Sequence, residues 1–309
     1  MRHLKNVVKS RVIPSVLFYK TTFNSKHHLN YQVGLSPIFI IGSGRSGNTL
    51  IRRILTNEDS LYIPPETYVL GQLIDDYERY AKLEWPILLR TTLSHLSLSE
   101  DFQYFPTPYL RRLYLDLLKV PKPERALSTI LNAFYLVMAN IVKPGTTRWG
   151  DKTPINVFAL NQLDKVFPNA QYIHLVRNVY DVASSYVKMG RYSTIEEAAA
   201  RWKTANECVE DFRPKAENRI ITTKYEDVVK YPRNEIKRIC DFLNLKYSKE
   251  LIDNPGDPKI LGDVKIAHYE NIQSRVSERS VGGGIKAMTG AEIKWVARIS
   301  ESLNTKYGY

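Results

Sequence analysis

The stretch Gly42-Ser43-Gly44-Arg45-Ser46-Gly47-Asn48-Thr49 follows a short apolar run, Pro37-Ile38-Phe39-Ile40-Ile41, and precedes Leu50, Ile51, Ile54 and Leu55 at helical spacing. Strand, glycine-rich turn and helix in that order make an anion cradle. Backbone N–H groups of the turn face inward, and the helix adds its unpaired N–H groups and the positive end of its dipole. The spacing is nearly that of G-x-x-x-x-G-K-[ST], with Gly42, Gly47 and Thr49 in place and Asn48 where the lysine stands. Phosphoryl-transferring enzymes use that lysine on the β- and γ-phosphates, so its loss argues against ATP or GTP hydrolysis. Arg45 supplies a cation from inside the turn instead.

Further groups stand where strands give way to helices, the usual place for chemistry in a parallel sheet. Glu66 follows Leu61-Tyr62-Ile63-Pro64-Pro65 and precedes an apolar helical pattern beginning at Tyr68, so it is either a reacting carboxylate or a first-turn glutamate favouring the helix dipole. Lys152 lies in Arg148-Trp149-Gly150-Asp151-Lys152-Thr153-Pro154, between a strand ending at Trp149 or Gly150 and a helix expected over 155–167. Arg177 ends the strand Gln171–Val176, and Ser185 follows two helical turns on. An arginine fork with a nearby hydroxyl suits a phosphate. Tyr225 follows the strand expected over 219–223. Near the end, Ser280-Val281-Gly282-Gly283-Gly284-Ile285-Lys286 reads as a linker, or as a flap whose Ser280 and Lys286 order on an anion.

The elements around these groups follow from periodicity and punctuation. Residues 75–142 read as a helical insertion without a metal or nucleophile constellation, and His95 there as a packing or surface histidine. Ser193 with Glu196 reads as a capping box for a helix through Trp202 and Cys208, Pro232 to Leu243 as a helix, and Thr289 with Glu292 as the box of the last helix. With 309 residues, 43% hydrophobic and 25% charged, the chain can bury a core and is too balanced to be disordered. Cys208 and Cys240 form neither a metal spacing nor a disulfide framework, and no metal site is expected.

The formal charge of +12 is uneven: no acidic residue precedes Glu58, and nine Lys and Arg residues there leave the remainder near neutrality. A basic arm over 1–34 on a domain over 35–309 suits contact with an anionic surface or substrate, and equally a solvated tail. Val12 to Tyr19 is broken by Pro14 and far shorter than the ~20 residues of a membrane span. The expected location is cytoplasmic, with peripheral membrane contact through the arm and no nucleic-acid partner.

Taken together, three segments resemble those of sulfotransferases that use 3′-phosphoadenosine 5′-phosphosulfate (PAPS). Gly42–Thr49 resembles the 5′-phosphosulfate loop, Arg177-Asn178 with Asp181-Val182-Ala183 and Ser185-Tyr186 the 3′-phosphate motif, and Lys224–Val229 with Pro232 a further family segment. The resemblance implies a three-layer, P-loop NTPase-like α/β fold, with a mostly parallel central sheet flanked by helices and the insertion. It implies sulfuryl transfer from PAPS to a hydroxyl acceptor, such as a carbohydrate, a tyrosyl peptide or a lipid, without a metal. Within the family the layout is closest to tyrosylprotein sulfotransferases. By that likeness Glu66 is the base, Arg45, Lys152 and Ser280 surround the sulfuryl group, and Arg177 and Ser185 hold the 3′-phosphate. Ser43, Gly44, Arg45, Ser46, Gly47, Asn48 and Thr49 form the loop, while Tyr225, Ser280 and Lys286 complete the nucleotide site. The competing enzyme class is a nucleotide or small-molecule kinase, against which Asn48 and the Arg177/Ser185 pair count. A silent binder of anionic polymer is the third reading.

Overall fold

The computed structural model describes residues 26–31, 34–99, 102, 110–254, 256–262 and 276–309. Most of the basic arm, including Arg2, Lys5, Lys9, Arg11 and Lys20, lies outside the described residues, as does the first part of the final region after Gly262.

Five strands form one parallel sheet: β1 (Ile38–Ile41), β2 (Leu61–Tyr62), β3 (Arg148–Asp151), β4 (Gln171–Val176) and β5 (Ile220–Lys224), in the order β2-β3-β1-β4-β5. The main helices are α1 (Asn48–Thr56), α2 (Leu70–Tyr80), α3 (Trp85–Ser97), α4 (Leu110–Leu118), α5 (Leu127–Val142), α6 (Leu160–Val166), α7 (Val179–Lys188), α8 (Ile195–Ala216), α9 (Tyr225–Lys230), α10 (Pro232–Leu243) and α11 (Gly290–Tyr307). β1 is buried along its whole length, and its two-residue period sorts the layers. Ile38 and Ile40 meet Ile51, Ile54 and Leu55 of α1 and Ile236, Ile239 and Leu243 of α10. Phe39 and Ile41 meet the other layer, where α2 to α6 and the end of α8 contribute Leu73, Ile130, Phe134, Leu163 and Phe212. Each of these fully buried side chains adds roughly 1.5–3 kcal/mol. The Tyr135 ring of α5 stacks on Trp149 of β3 at 4.1 Å and 6°, tying the insertion to the sheet.

Several boundaries differ from the sequence expectation. β3 runs on to Asp151. The segment after it is a 3₁₀ turn, Pro154–Ala159, before α6, because Asn156 Nδ2 donates to Asp151 Oδ1 at 2.7 Å and draws the first turn onto the strand end. Thr194, not Ser193, caps α8: the Glu197 N–H donates to Thr194 Oγ1 at 3.2 Å, and Glu197 Oε2 accepts from Ser193 N. The Thr289 and Glu292 box forms as expected. Glu66 precedes α2 by a turn in which Tyr68 takes a φ of 52°, so it is outside the first turn of any helix.

His174 of β4 is fully buried, with Nε2 at 3.0 Å from Asn206 Oδ1, and burial lowers its pKa to about 4. The folded protein therefore holds it neutral, while the unfolded chain protonates it near 6.5. A depressed histidine pKa gives stability that is present above the unfolded value and lost as pH falls through the folded one. Stability is expected to drop by about 3 kcal/mol between pH 6.5 and 4. Urea unfolding across that window checks this, and His174→Gln should flatten the slope.

Candidate active site

All five strands are parallel, so their C-terminal ends lie along one edge of the sheet, and each end carries a group singled out by sequence. The glycine turn follows β1, Glu66 follows β2, Lys152 follows β3, Arg177 follows β4 and Tyr225 follows β5. Chain direction across the sheet reverses beside β1, between β3 and β4, which is where ligands bind in open α/β sheets.

The turn is shaped by two tyrosines packed on it. A Cβ at Gly44 would meet the Tyr186 hydroxyl at 2.4 Å, and one at Gly47, with φ 94°, would meet the Tyr225 ring at 2.3 Å. Glycine is thus required at 47, where φ is positive as well, and a side chain at 44 would have to displace the Tyr186 hydroxyl. Arg45 takes the left-handed conformation, φ 67°. Asn48 is buried and donates through Nδ2 to the Ser43 carbonyl at 3.1 Å, bracing the turn across its mouth rather than facing outward as a lysine would. Ser43 Oγ donates to the Gly44 carbonyl, and Thr49 lies half-buried in the first turn of α1. Ser46 Oγ and Arg177 Nε are buried without a hydrogen-bond partner among the described residues. Orphaned donors beside a glycine-rich turn fit an anion.

The second group adjoins the first. Arg45 Nε donates to Ser185 Oγ at 3.0 Å, and Arg177 Nη1 donates to the Arg45 carbonyl at 3.1 Å. Arg177 Nη2 donates to the Ser280 carbonyl, and its guanidinium lies 4.5 Å from the Tyr225 ring centre. The Tyr225 hydroxyl is 2.7 Å from Ser280 Oγ. Arg45, Arg177, Ser185, Tyr225 and Ser280 therefore form one contact network with the turn. Lys286 does not join it: it is exposed on the 3₁₀ turn Ile285–Ala287.

Glu66 and Lys152 make a separate pair. Lys152 Nζ donates to Glu66 Oε1, with the lysine side chain fully buried and the glutamate 10% exposed. Arg45 is engaged with Ser185 rather than with this pair. The residues behind the pair hold it: Thr67 N donates to Thr153 Oγ1 at 3.0 Å, and Asp151 Oδ2 accepts from Thr67 Oγ1 and Tyr135 Oη, both at 2.9 Å. Burial raises the Asp151 pKa against the hydrogen bonds it accepts, and raises that of Tyr135 well above the phenol range. Sequence reasoning did not single out Asp151, Tyr135, Tyr186 or Asp181. Asp151 and Asp181 carry a usable signal, being next to Lys152 and one helical turn after Arg177; Tyr135 and Tyr186 are indistinguishable by pattern from core aromatics.

A twisted parallel sheet with such a turn feeding a helix at its switch point defines the P-loop-like α/β class, and this protein is one of that class. Within it, the model of the sulfotransferase family matches residues 37–249, so the chain belongs to the sulfotransferase family and is a transferase. It is 23% identical to protein-tyrosine sulfotransferase 1 of Danio rerio over 277 residues, 87% of this chain and 68% of that one. It is 25% identical to an omega-hydroxy-beta-dihydromenaquinone-9 sulfotransferase of Mycobacterium bovis over 250 residues, 68% of this chain and 63% of that one. The chain thus spans about two thirds of the length of these relatives. The sulfotransferase domain of the Synechococcus PCC 7002 olefin synthase shares the fold, with a TM-score of 0.58 at 22% identity over 91% of this chain and 98% of that one. Among the described residues no helix is long and apolar enough to cross a membrane, and no group of three or more His, Cys, Asp or Glu forms a metal cluster.

Proposed function

We propose that the protein transfers a sulfuryl group from PAPS to a hydroxyl acceptor, with Glu66 as the base. The observation that carries this reading is the joining of the glycine turn to Arg177 and Ser185 through Arg45, beside the Glu66–Lys152 pair. A donor with phosphates at both 5′ and 3′ positions needs two anion grips in one cleft. The turn N–H groups, the α1 N-terminus and Ser46 suit the 5′-phosphosulfate, and Arg177 with Ser185 suits the 3′-phosphate.

In the transfer, the acceptor oxygen bonds to sulfur as the bond from sulfur to the 5′-phosphate oxygen breaks, and charge grows on that phosphate. Lys152 and the turn stabilise it from fixed positions. Glu66 takes the acceptor proton as the bond to sulfur forms, which assists even a phenol of pKa about 10. The ammonium of Lys152 holds the carboxylate in place beforehand. The relatives act, by their names, on protein tyrosine and on a hydroxylated dihydromenaquinone, so peptide and lipid hydroxyls are the leading acceptor classes.

Incubation of the protein with sulfur-labelled PAPS and host-cell extract, followed by identification of the labelled product, tests the reading. Transfer is expected at full rate in EDTA, because cationic side chains and backbone donors supply the charge. Absence of labelled product together with magnesium-dependent phosphoryl transfer from ATP would replace the reading with the kinase alternative.

A further inference from the structure

The loop of three glycines is held by a single buried carboxylate. Asp181, one turn after Arg177, has a side chain only 2% exposed. Its Oδ2 accepts from Gly282 N at 2.8 Å and its Oδ1 from Gly284 N at 2.7 Å. The same Oδ2 lies 3.9 Å from Arg177 Nη2, and Arg177 in turn donates to the Ser280 carbonyl. Three successive glycines carry a large backbone entropy, so an isolated loop of this sequence has no preferred shape. Two hydrogen bonds to a charged acceptor oppose that entropy at the positions where the loop touches α7. The fit is close: a Cβ at Gly284 would come within 2.2 Å of the Tyr180 carbonyl oxygen, and Gly282 has a φ of 73°. The loop so held presents Ser280 Oγ to the Tyr225 hydroxyl at 2.7 Å and its carbonyl to Arg177.

We infer that Asp181 is a positioning residue of the donor site, latching loop 282–284 onto the first turn of α7 and so setting Ser280 and the Arg177 fork for the nucleotide phosphates. The inference rests on the reading of Arg177 and Ser280 under Proposed function. Its carboxylate does not repel the nucleotide's phosphates as an unpaired one would, because both oxygens are taken by loop amides and one adjoins Arg177.

Amide hydrogen exchange of the nucleotide-free protein and calorimetry with adenosine 3′,5′-bisphosphate, on the wild type and on Asp181→Ala, Asp181→Asn and Gly284→Ala, test it. Faster exchange at Gly282 and Gly284, with β4 amides unchanged, is expected in Asp181→Ala and Gly284→Ala, together with nucleotide binding weakened about tenfold by the lost preorganisation. Asp181→Asn, which keeps one accepting oxygen, should lie between. Gly284→Ala displaces the loop through a clash with the α7 backbone at Tyr180 and Asp181 while keeping the Asp181 carboxylate and Arg177, so the test survives if Asp181→Ala does not fold. Unchanged exchange, or faster exchange with unchanged nucleotide binding, would overturn the latch. Failure of the wild type itself to bind adenosine 3′,5′-bisphosphate would instead overturn the functional reading, since the exchange arm needs no nucleotide.

Discussion

Replacing Glu66 with glutamine is expected to lower turnover by about 10²- to 10⁴-fold, the usual contribution of a positioned general base. The amide keeps the shape of the side chain but cannot take the acceptor proton. The effect is expected in the rate of the chemical step, with binding of adenosine 3′,5′-bisphosphate near that of the wild type, because the proposed donor grips are the turn, Arg177 and Ser185 rather than Glu66. The substitution also strips Lys152, which is fully buried, of its carboxylate partner. Breaking a buried pair from one side costs about 3–5 kcal/mol of stability. Single-turnover rates should therefore be taken at a temperature where circular dichroism shows Glu66→Gln fully folded. Near-normal turnover would assign the base to another residue.

The second large effect is at Arg177. Arg177→Ala removes a planar fork of donors held in place by the Arg45 and Ser280 carbonyls and by the Tyr225 ring face. Hydrogen bonds to a charged group contribute about 1.5–3 kcal/mol each, so loss of a bidentate grip on a phosphate should weaken binding by about 10²-fold or more. Arg177→Lys should recover only part of this, since an ammonium is a point charge without the fork. Calorimetry with adenosine 3′,5′-bisphosphate reads both variants.

How much of this was legible in the sequence depends on the kind of signal. The glycine turn, β4 over 171–176 and α10 over 232–243 are visible because local chemistry dictates them: glycine spacing, an apolar-rich run, and Pro232 at a first turn. Glu66, Lys152, Arg177 and Tyr225 are legible as groups at strand ends. Their convergence is a consequence of one fact the sequence does not carry locally, that all five strands run parallel in the order β2-β3-β1-β4-β5. The 3₁₀ turn at 154–159 was missed because it depends on Asn156 reaching Asp151, and the shift of the cap from Ser193 to Thr194 because adjacent hydroxyls and adjacent glutamates offer two equivalent boxes. Asp181 is marked by its place one helical turn after Arg177, but its role is not, since its partners are backbone amides a hundred residues away. The direct link from Arg45 to Ser185 was equally unreadable, because it joins two motifs expected to hold opposite ends of the nucleotide.

The proposed transfer needs two joined anion grips that read one nucleotide at two phosphates. Calorimetry comparing adenosine 3′,5′-bisphosphate with adenosine 5′-phosphate on the wild type and Arg177→Ala tests this most directly. The wild type is expected to prefer the bisphosphate by about 10²-fold, and Arg177→Ala to erase the preference while leaving the monophosphate affinity nearly unchanged. Equal affinity of the wild type for both nucleotides would contradict it.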